Sequence, residues 1–363
     1  MAETTKISWT DSTFNPWIGC SKVHTGCRFC YAEADQDLRR GRAKWGDKGT
    51  RSRTSDANWR KPIQWNRNAQ SSGKRHLVFC ASLADIFEPW AGPIVDHNGE
   101  IILRPYLDRE NTPEHRVTDP SVEDWWCDGE WQRHPDPQGW SPIRMNDIRA
   151  DLFGLIDDTP YLTWQLLTKR PENVREMLTP YSYHACVTGD CPHDCGRDCN
   201  TGDDLKYRDS VWIGTSVSDQ ETADEMVPRL MELRGLAPVL FVSAEPLLGP
   251  IDLSPWIDKI DQVIVGGESG PNARECDIAA VRDIVRQCQA ADTAAFVKQL
   301  GSNPIKYWCQ GECGVQADGV TPCPTESGYG RLNLGHKSGA NPAEWPESLR
   351  VQQFPKESLT NGV

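Results

Sequence analysis

Six short apolar segments rich in β-branched residues recur along the chain, and amphipathic stretches separate several of them. The apolar segments lie at 77–80, 163–167, 211–214, 239–242, 263–265 and 295–297. Continuous apolar runs of this length are typical of parallel strands that are buried on both faces. The intervening stretches, around Ile148, Ala223 and Ile278, carry apolar residues at helical spacing. This alternation predicts a parallel α/β sheet.

A further short strand near residues 7–9 brings the predicted total to about seven, close to the count of a TIM-like barrel. We therefore expect an α/β fold, a partial or irregular (βα) TIM-like barrel with parallel strands, over residues 1–301. Two insertions are expected to interrupt it, one loop-rich at about 88–141 and one cysteine-rich and metal-binding at about 181–208. Residues 302–363 are expected to form a cysteine-containing C-terminal extension.

Polar residues follow each of the six apolar segments. Ligands of parallel α/β sheets bind at the carboxyl ends of the strands, so these residues predict one shared pocket. The candidate binding residues are Ser82, Asp85, Lys169, Arg170, Ser216, Ser218, Glu245, Gly266, Gly267 and Glu268. Helix capping is the alternative for one or two strand ends, with Asp219 and Ser269 as candidates.

The chain contains 14 cysteines, and three of them follow the first predicted strand in a C-x6-C-x2-C arrangement, Cys20, Cys27 and Cys30. No apolar run approaches the length of a membrane helix and the first residues carry no apolar signal core, so we expect a cytoplasmic protein with no membrane partner. Cytoplasmic cysteines are rarely paired in disulfides. The three favour an iron-sulfur cluster with one open metal position. A structural zinc site is the alternative, and it would need His24 or a distant cysteine as its fourth ligand.

The remaining cysteines fall into two groups and four single positions. Four close together on a polar segment predict a second metal site, holding zinc or an auxiliary iron-sulfur cluster. These are Cys186, Cys191, Cys195 and Cys199. A weaker trio is formed by Cys309, Cys313 and Cys323, and packing is the expected role for most of Cys80, Cys127, Cys276 and Cys288.

The net charge of −13 is unevenly distributed along the chain. Residues 39–75 contain twelve basic residues and two acidic ones, interleaved with Trp45, Trp59 and Trp65. Such a combination favours contact with a nucleic acid or nucleotide. The alternative is a solvated loop whose tryptophans pack on the domain beneath it.

Several separated motifs resemble those of a known group of proteins. They are Trp9-Thr10-Asp11, Asn15-Pro16, the cysteine loop through Glu33, and the stretches 167–171, 243–250 and 266–270. The chain resembles the radical SAM superfamily and, more closely, a phage-associated radical-SAM-like family of unknown function. The resemblance implies that Cys20, Cys27 and Cys30 bind three irons of a [4Fe-4S] cluster and that S-adenosylmethionine (SAM) chelates the fourth. It also implies an electron donor, cleavage of SAM to a 5′-deoxyadenosyl radical and, if the chain is phage-encoded, a location in the host cytoplasm.

The sequence departs from the superfamily pattern in two places. The first cysteine interval is six residues instead of three, and Gly266-Gly267-Glu268 follows a late strand instead of the second. By position, the resemblance directs Ser82, Asp85, Ser216, Ser218 and Glu245 to SAM, and Lys169 and Arg170 to the SAM carboxylate or a substrate phosphate.

The function expected from these features is a radical SAM enzyme that modifies a nucleic acid base or nucleotide. A zinc-stabilised nucleic-acid-binding protein without catalytic activity and a barrel relic with a host-interaction role are the alternatives.

Overall fold

The computed structural model describes residues 5, 7–105, 124–127, 130–133, 140–178, 209–309 and 327–356. Side chains are not described for 104–141, 307–309 and 327–329. The central element is a seven-stranded sheet, entirely parallel, whose strands lie side by side in chain order. The sheet is curled into a half-barrel and does not close.

The strands are numbered in chain order, and those of the central sheet are β1, β4, β10, β11, β12, β13 and β15. The bounds are β1 Ser12–Thr13, β2 Trp17–Ile18, β3 Arg51–Arg53, β4 His76–Cys80, β5 Ile94–Val95, β6 Leu103–Pro105, β7 Asp124–Cys127, β8 Glu130–Arg133, β9 Trp140–Pro142, β10 Leu162–Thr168, β11 Val211–Val217, β12 Val239–Ala244, β13 Gln262–Gly266, β14 Cys276–Asp277, β15 Ala294–Gln299, β16 Pro304–Cys309 and β17 Ser327–Arg331. The outlying strands form the small sheets β2-β3-β5, β6-β9, β7-β8 and β14-β16-β17.

Along the chain, each helix follows one strand of the central sheet and precedes the next. They are α1 Tyr31–Glu33, continued as a π-helix over Ala34–Arg39, α2 Asp56–Trp59, α3 Lys61–Ser72, α4 Met145–Asp157, α5 Val174–Leu178, α6 Gln220–Met231 and α7 Ile278–Ala290. The apolar positions predicted to face the core in α4, α6 and α7 are buried. Asp219 caps α6, as predicted, by accepting a hydrogen bond from the Thr222 backbone N–H.

Two apolar clusters cover the two faces of the sheet. Alternate residues of a strand point to opposite faces, and Trp164, Ile213 and Val242 share the larger cluster with α4, α6 and α7. The smaller cluster is largely aromatic and contains no helix residue. It consists of Trp9, Phe79, Trp212, Val239, Phe241, Ile264 and Phe296. These side chains therefore fill the concave side of the half-barrel.

The six later strands confirm the sequence prediction, but the first does not lie where we predicted it. Residues 7–9 are not a strand; β1 is Ser12–Thr13, paired with Val78 and Phe79. Trp9 instead belongs to the concave cluster, where it packs on Phe79 with ring centroids 4.6 Å apart. Its apolar character reflects burial at this position and not strand pairing.

Part of the predicted loop-rich insertion at 88–141 belongs to the core. Glu88, Ile94 and Val95 are buried, and β5 pairs with β3. Of the predicted cysteine-rich insertion, Cys186, Cys191, Cys195 and Cys199 lie outside the described residues, as do Cys313, Cys323 and the side chains of Cys127 and Cys309.

Cys80, Cys276 and Cys288 are buried and unpaired, which confirms their predicted packing role. Within the described part of the chain, no helix has the length and apolar character needed to cross a membrane.

Candidate functional site

A cavity of about 810 Å³ lies at the carboxyl ends of the central strands. Residues at or just after the carboxyl ends of β4, β10, β11, β12, β13 and β15 all contribute to its wall, together with the loop that carries the first three cysteines. Trp9 and Phe79 of the concave cluster also line it. The polar strand ends therefore share one pocket, as the parallel topology predicts.

Cys20, Cys27 and Cys30 are unpaired, partly exposed and line this cavity. The loop between them contains a 3-10 turn at Thr25–Cys27, in which the Gly26 backbone N–H donates to His24 Nδ1 at 3.1 Å. A Cβ atom at position 26 would lie 2.2 Å from Ser218 Oγ. Glycine is therefore needed here because the loop lies directly against the end of β11.

A buried charge network fastens the start of the cysteine loop. Arg170 donates to Asp85 Oδ2 at 3.0 Å and to the Ser21 carbonyl oxygen at 3.1 Å, and Nη1 lies 3.9 Å from Cys20 Sγ. Arg51 and Glu88 form a bidentate ion pair at 2.6 and 2.7 Å, and Glu88 also accepts from the Ser21 backbone N–H at 2.7 Å. Such pairing is what allows charged groups to remain buried.

Arg274 fastens the middle of the loop. Its guanidinium donates twice to Glu268, at 2.9 and 2.6 Å, and once to the Thr25 carbonyl oxygen at 2.9 Å. It also lies over the Phe29 ring, 5.3 Å from the centroid. Burial acts to raise the pKa of Glu268, but hydrogen bonds from Arg274 outweigh it and lower that pKa. We call Glu268 and Arg274 the carboxylate clamp.

Burial raises the pKa of two of the three thiols in the cysteine loop. Burial raises the pKa of Cys20 to about 12, with Asp85 and Glu88 acting in the same direction, and burial also raises the pKa of Cys30. A metal that bound these thiols would have to displace their protons.

Among the described residues, no three His, Cys, Asp or Glu side chains form a group that could hold one metal ion. Ligands of a single zinc ion all lie about 2.3 Å or less from it. In an iron-sulfur cluster each thiolate binds a different iron, so the sulfurs are spread farther apart. Among the described residues, Cys20, Cys27 and Cys30 therefore do not form a group for a single metal ion.

The predicted SAM-binding residues divide into three groups. Ser82, Ser216, Glu245 and Gly267 line the cavity, whereas Ser218 and Gly266 are not among its lining residues. Asp85, Arg170 and Glu268 also line it, but their charged groups are engaged by protein partners. Glu245 holds Lys298 at 2.9 Å, while a Cβ at position 266 would come within 2.6 Å of Glu245 Oε1. Ser269 lines the cavity and, contrary to its candidacy as a cap, begins no helix.

Lys169 is the one charged group on the cavity wall that has no opposite charge beside it among the described residues. The other charged wall groups are paired as Lys22–Glu33, Arg170–Asp85, Lys298–Glu245 and Arg274–Glu268. The Lys169 ammonium contributes to lowering the pKa of His24 to about 4, an effect due first to burial. The wall therefore offers one uncompensated positive charge to a ligand.

The prediction of a nucleic-acid surface over 39–75 is not supported at several of its residues. Trp65 is buried, Trp59 packs on the core, and Arg51 is fully buried against Glu88. Arg53 pairs with Asp56 at 2.7 Å. Trp45 differs from the other two tryptophans because it lines the cavity.

One contributor to the site, Arg274, was not predicted from the sequence. Lys298, near the end of β15, belongs to the polar strand ends that predicted the shared pocket, although it was not singled out as a binding residue, and it pairs with Glu245. Arg274 follows no strand, and no feature of the sequence singled it out.

The fold and site together define an α/β half-barrel with a cysteine-bearing cavity at the carboxyl ends of its strands. The chain belongs to the family described as protein of unknown function (DUF5131), whose family model matches residues 4–96 and 143–325. No curated protein and no solved structure matches it.

Proposed function

We propose that this protein is a radical SAM enzyme that holds a [4Fe-4S] cluster on Cys20, Cys27 and Cys30 and modifies a nucleic acid base or nucleotide. The observation that carries the proposal is the meeting of three free cysteines with six polar strand ends around one cavity. The half-barrel is in this view a partial TIM-like barrel, open where a substrate can enter. Reduction of the cluster by an electron donor requires a reducing compartment, which favours the cytoplasm, or a host cytoplasm if the chain is phage-encoded.

Such a cluster, once bound and reduced, would supply the electron that cleaves SAM, and the resulting radical would take a hydrogen atom from the substrate. The protein's own residues hold the cysteine loop in place and orient the bound ligand. Arg170 and the carboxylate clamp fix the cysteine loop at two points, so the three thiols stay at the cavity wall. Lys169 offers its charge to the SAM carboxylate or a substrate phosphate.

The polar groups left on the wall suit the remainder of SAM. Glu245 and Lys298 present adjacent acceptor and donor groups at 2.9 Å from each other, and Ser243 donates to Glu245 at 3.3 Å. Such a pair can receive hydroxyl or ammonium groups of a bound ligand. Trp9 and Phe79 make the floor beneath them apolar, which limits the access of water.

The test is anaerobic purification followed by iron, sulfide and zinc analysis and by a SAM cleavage assay. The native chain is expected to show broad visible absorption and to release 5′-deoxyadenosine on reduction. Cys27→Ala should lose the iron of one cluster and SAM cleavage together. Cys288→Ala, a cysteine buried in α7 and outside the cavity, is the matched control and should retain both.

A Cys27→Ala protein that still cleaves SAM would contradict the assignment of the ligands. Stoichiometric zinc without iron or SAM cleavage in the native chain would overturn the enzyme proposal. It would favour a zinc-stabilised nucleic-acid-binding protein instead.

A further inference from the structure

The segment 22–48, which we call the rim, borders the cavity and carries most of the exposed apolar surface among the described residues. Of six large hydrophobic side chains that are exposed, four belong to the rim. These are Val23, Phe29, Tyr31 and Leu38, with exposed fractions of 40%, 38%, 56% and 78%. Val23, Phe29 and Tyr31 also line the cavity, so the exposed apolar surface continues from the outer face of the protein into the site.

The rim is also positively charged within an acidic protein. It contains seven basic residues and four acidic ones, whereas the whole chain has a net charge of −13. Most of its acidic residues form ion pairs with nearby cations, as in the pairs Lys22–Glu33 and Lys44–Asp37. Three exposed cations, Arg28, Arg42 and Lys48, have no anionic partner among the described residues.

Two aromatic rings of the rim are held in place by neighbouring groups. The guanidinium groups of Arg28 and Arg274 lie over the Phe29 ring, at 5.2 and 5.3 Å from its centroid. The Tyr31 hydroxyl donates to the Ser82 carbonyl oxygen at 2.7 Å, while more than half of the residue remains exposed. Rings fixed in this way lose little entropy when a base stacks on them.

We propose that the rim is the surface on which a single-stranded nucleic acid binds, with one base entering the cavity and its flanking phosphates on Arg28, Arg42 and Lys48. Exposed rings interleaved with unpaired cations are the features that bind single strands. The inference rests on the proposed function, because it names the substrate class of the same site. It assigns nucleic-acid binding to residues 22–48 instead of to residues 39–75, because most of the tryptophans of the latter segment pack on the core.

An acidic protein could use the same cations but would leave the cavity-facing rings without a role. Tyr31 and Phe29 line a cavity of about 810 Å³, which is of the size that takes small organic ligands. A base that is rotated out of the stack of its strand can enter such a cavity, whereas the surface of a folded protein cannot. The observations therefore favour a nucleic acid over a protein partner.

The experiment measures fluorescence anisotropy of a labelled single-stranded oligonucleotide over a series of salt concentrations. The triple variant Arg28→Gln, Arg42→Gln and Lys48→Gln should bind more weakly, and the slope of log affinity against log salt should fall by about 2. Tyr31→Ala should weaken binding by about tenfold through lost stacking.

The matched control replaces three exposed cations at or towards the amino-end side of the sheet, Arg67→Gln, Lys74→Gln and Lys259→Gln. It should leave affinity and salt slope near those of the native chain. Equal weakening in both triple variants, or no binding by the native chain, overturns the inference. So does tight binding of duplex DNA with no preference for single strands.

Cluster content and SAM cleavage are measured on the same samples, so that the two proposals fail separately. A protein that cleaves SAM without binding the oligonucleotide contradicts only the rim assignment. One that binds the oligonucleotide through the rim without iron contradicts only the proposed enzyme.

Discussion

At the residue scale, the cavity depends on which charges are paired within the protein and which are left for a ligand. Arg170 and Lys169 are neighbours in sequence and were both candidates for binding an anion, with the bidentate guanidinium favouring Arg170. The structure separates them, because the Arg170 guanidinium is buried against Asp85 while the Lys169 ammonium faces the cavity without an anionic partner among the described residues. The sequence alone cannot reveal this difference, since it depends on Asp85 in the loop that follows β4.

Replacement of Lys169 tests this difference. Lys169→Gln should weaken binding of an anionic ligand by about tenfold or more, because one charge-assisted contact is lost. Calorimetric titration with SAM and with methylthioadenosine, which lacks the carboxylate, shows whether SAM supplies the anion. Titration with AMP and with adenosine, which lacks the phosphate, shows in the same way whether a phosphate supplies the anion.

Lys22→Gln is the matched control for this titration, because Lys22 also lines the cavity but is already paired with Glu33 at 2.6 Å. It should change these affinities little. If Lys169→Gln weakened the uncharged ligands as much as the charged ones, the residue would be shaping the cavity and not binding an anion.

At the element scale, the sequence predicted strands and helices far better than it predicted the contacts that hold the cysteine loop. β10 to β13 were recognisable because both faces of each strand are buried, which leaves a continuous apolar run. β1 was misplaced because two residues carry no usable periodicity. The carboxylate clamp lies in the loop after β13 and binds the cysteine loop at Thr25, and loop contacts of this kind have no comparable signature in sequence.

The carboxylate clamp predicts a specific dependence of stability on pH. The folded-state pKa of Glu268 lies below its ordinary value of 4.5, so the ionised clamp stabilises the fold above that pH. This contribution is lost as the pH falls through the lowered folded-state pKa. Glu268→Gln should therefore reduce the free energy of unfolding by about 2 kcal/mol at neutral pH, and the difference from the native chain should shrink below about pH 4.5.

Denaturant unfolding between pH 3 and 8 measures this difference. Asp283→Asn, which disturbs the exposed pair Arg286–Asp283 at 2.6 Å, is the control and should cost less than about 1 kcal/mol at any pH. A Glu268→Gln effect that stayed constant down to pH 3 would show that the clamp acts through packing and not through charge.

At the scale of the whole molecule, an open half-barrel must protect two sheet edges that a closed barrel would not have. At one edge, β1 is only two residues long and offers little for another strand to pair with. At the other, the chain returns to cover β15. Val297 N–H donates to the Val351 carbonyl oxygen at 2.8 Å, and Gln353 N–H donates to that of Ala295 at 2.8 Å.

The segment 351–354 also closes the concave cluster, since Phe354 packs on Phe296 with ring centroids 5.4 Å apart. Truncation after Arg350 should therefore expose the backbone of β15 together with part of the aromatic cluster. We expect a lower free energy of unfolding, by about 1 kcal/mol for each lost hydrogen bond, and concentration-dependent association through the freed edge. Light scattering after size-exclusion chromatography measures the association, and denaturant unfolding measures the stability.

Truncation after Lys356 keeps every contact named here and is the matched control. If the shorter chain stayed as stable and as monomeric as this control, the half-barrel would not need the segment 351–354 to protect its edge.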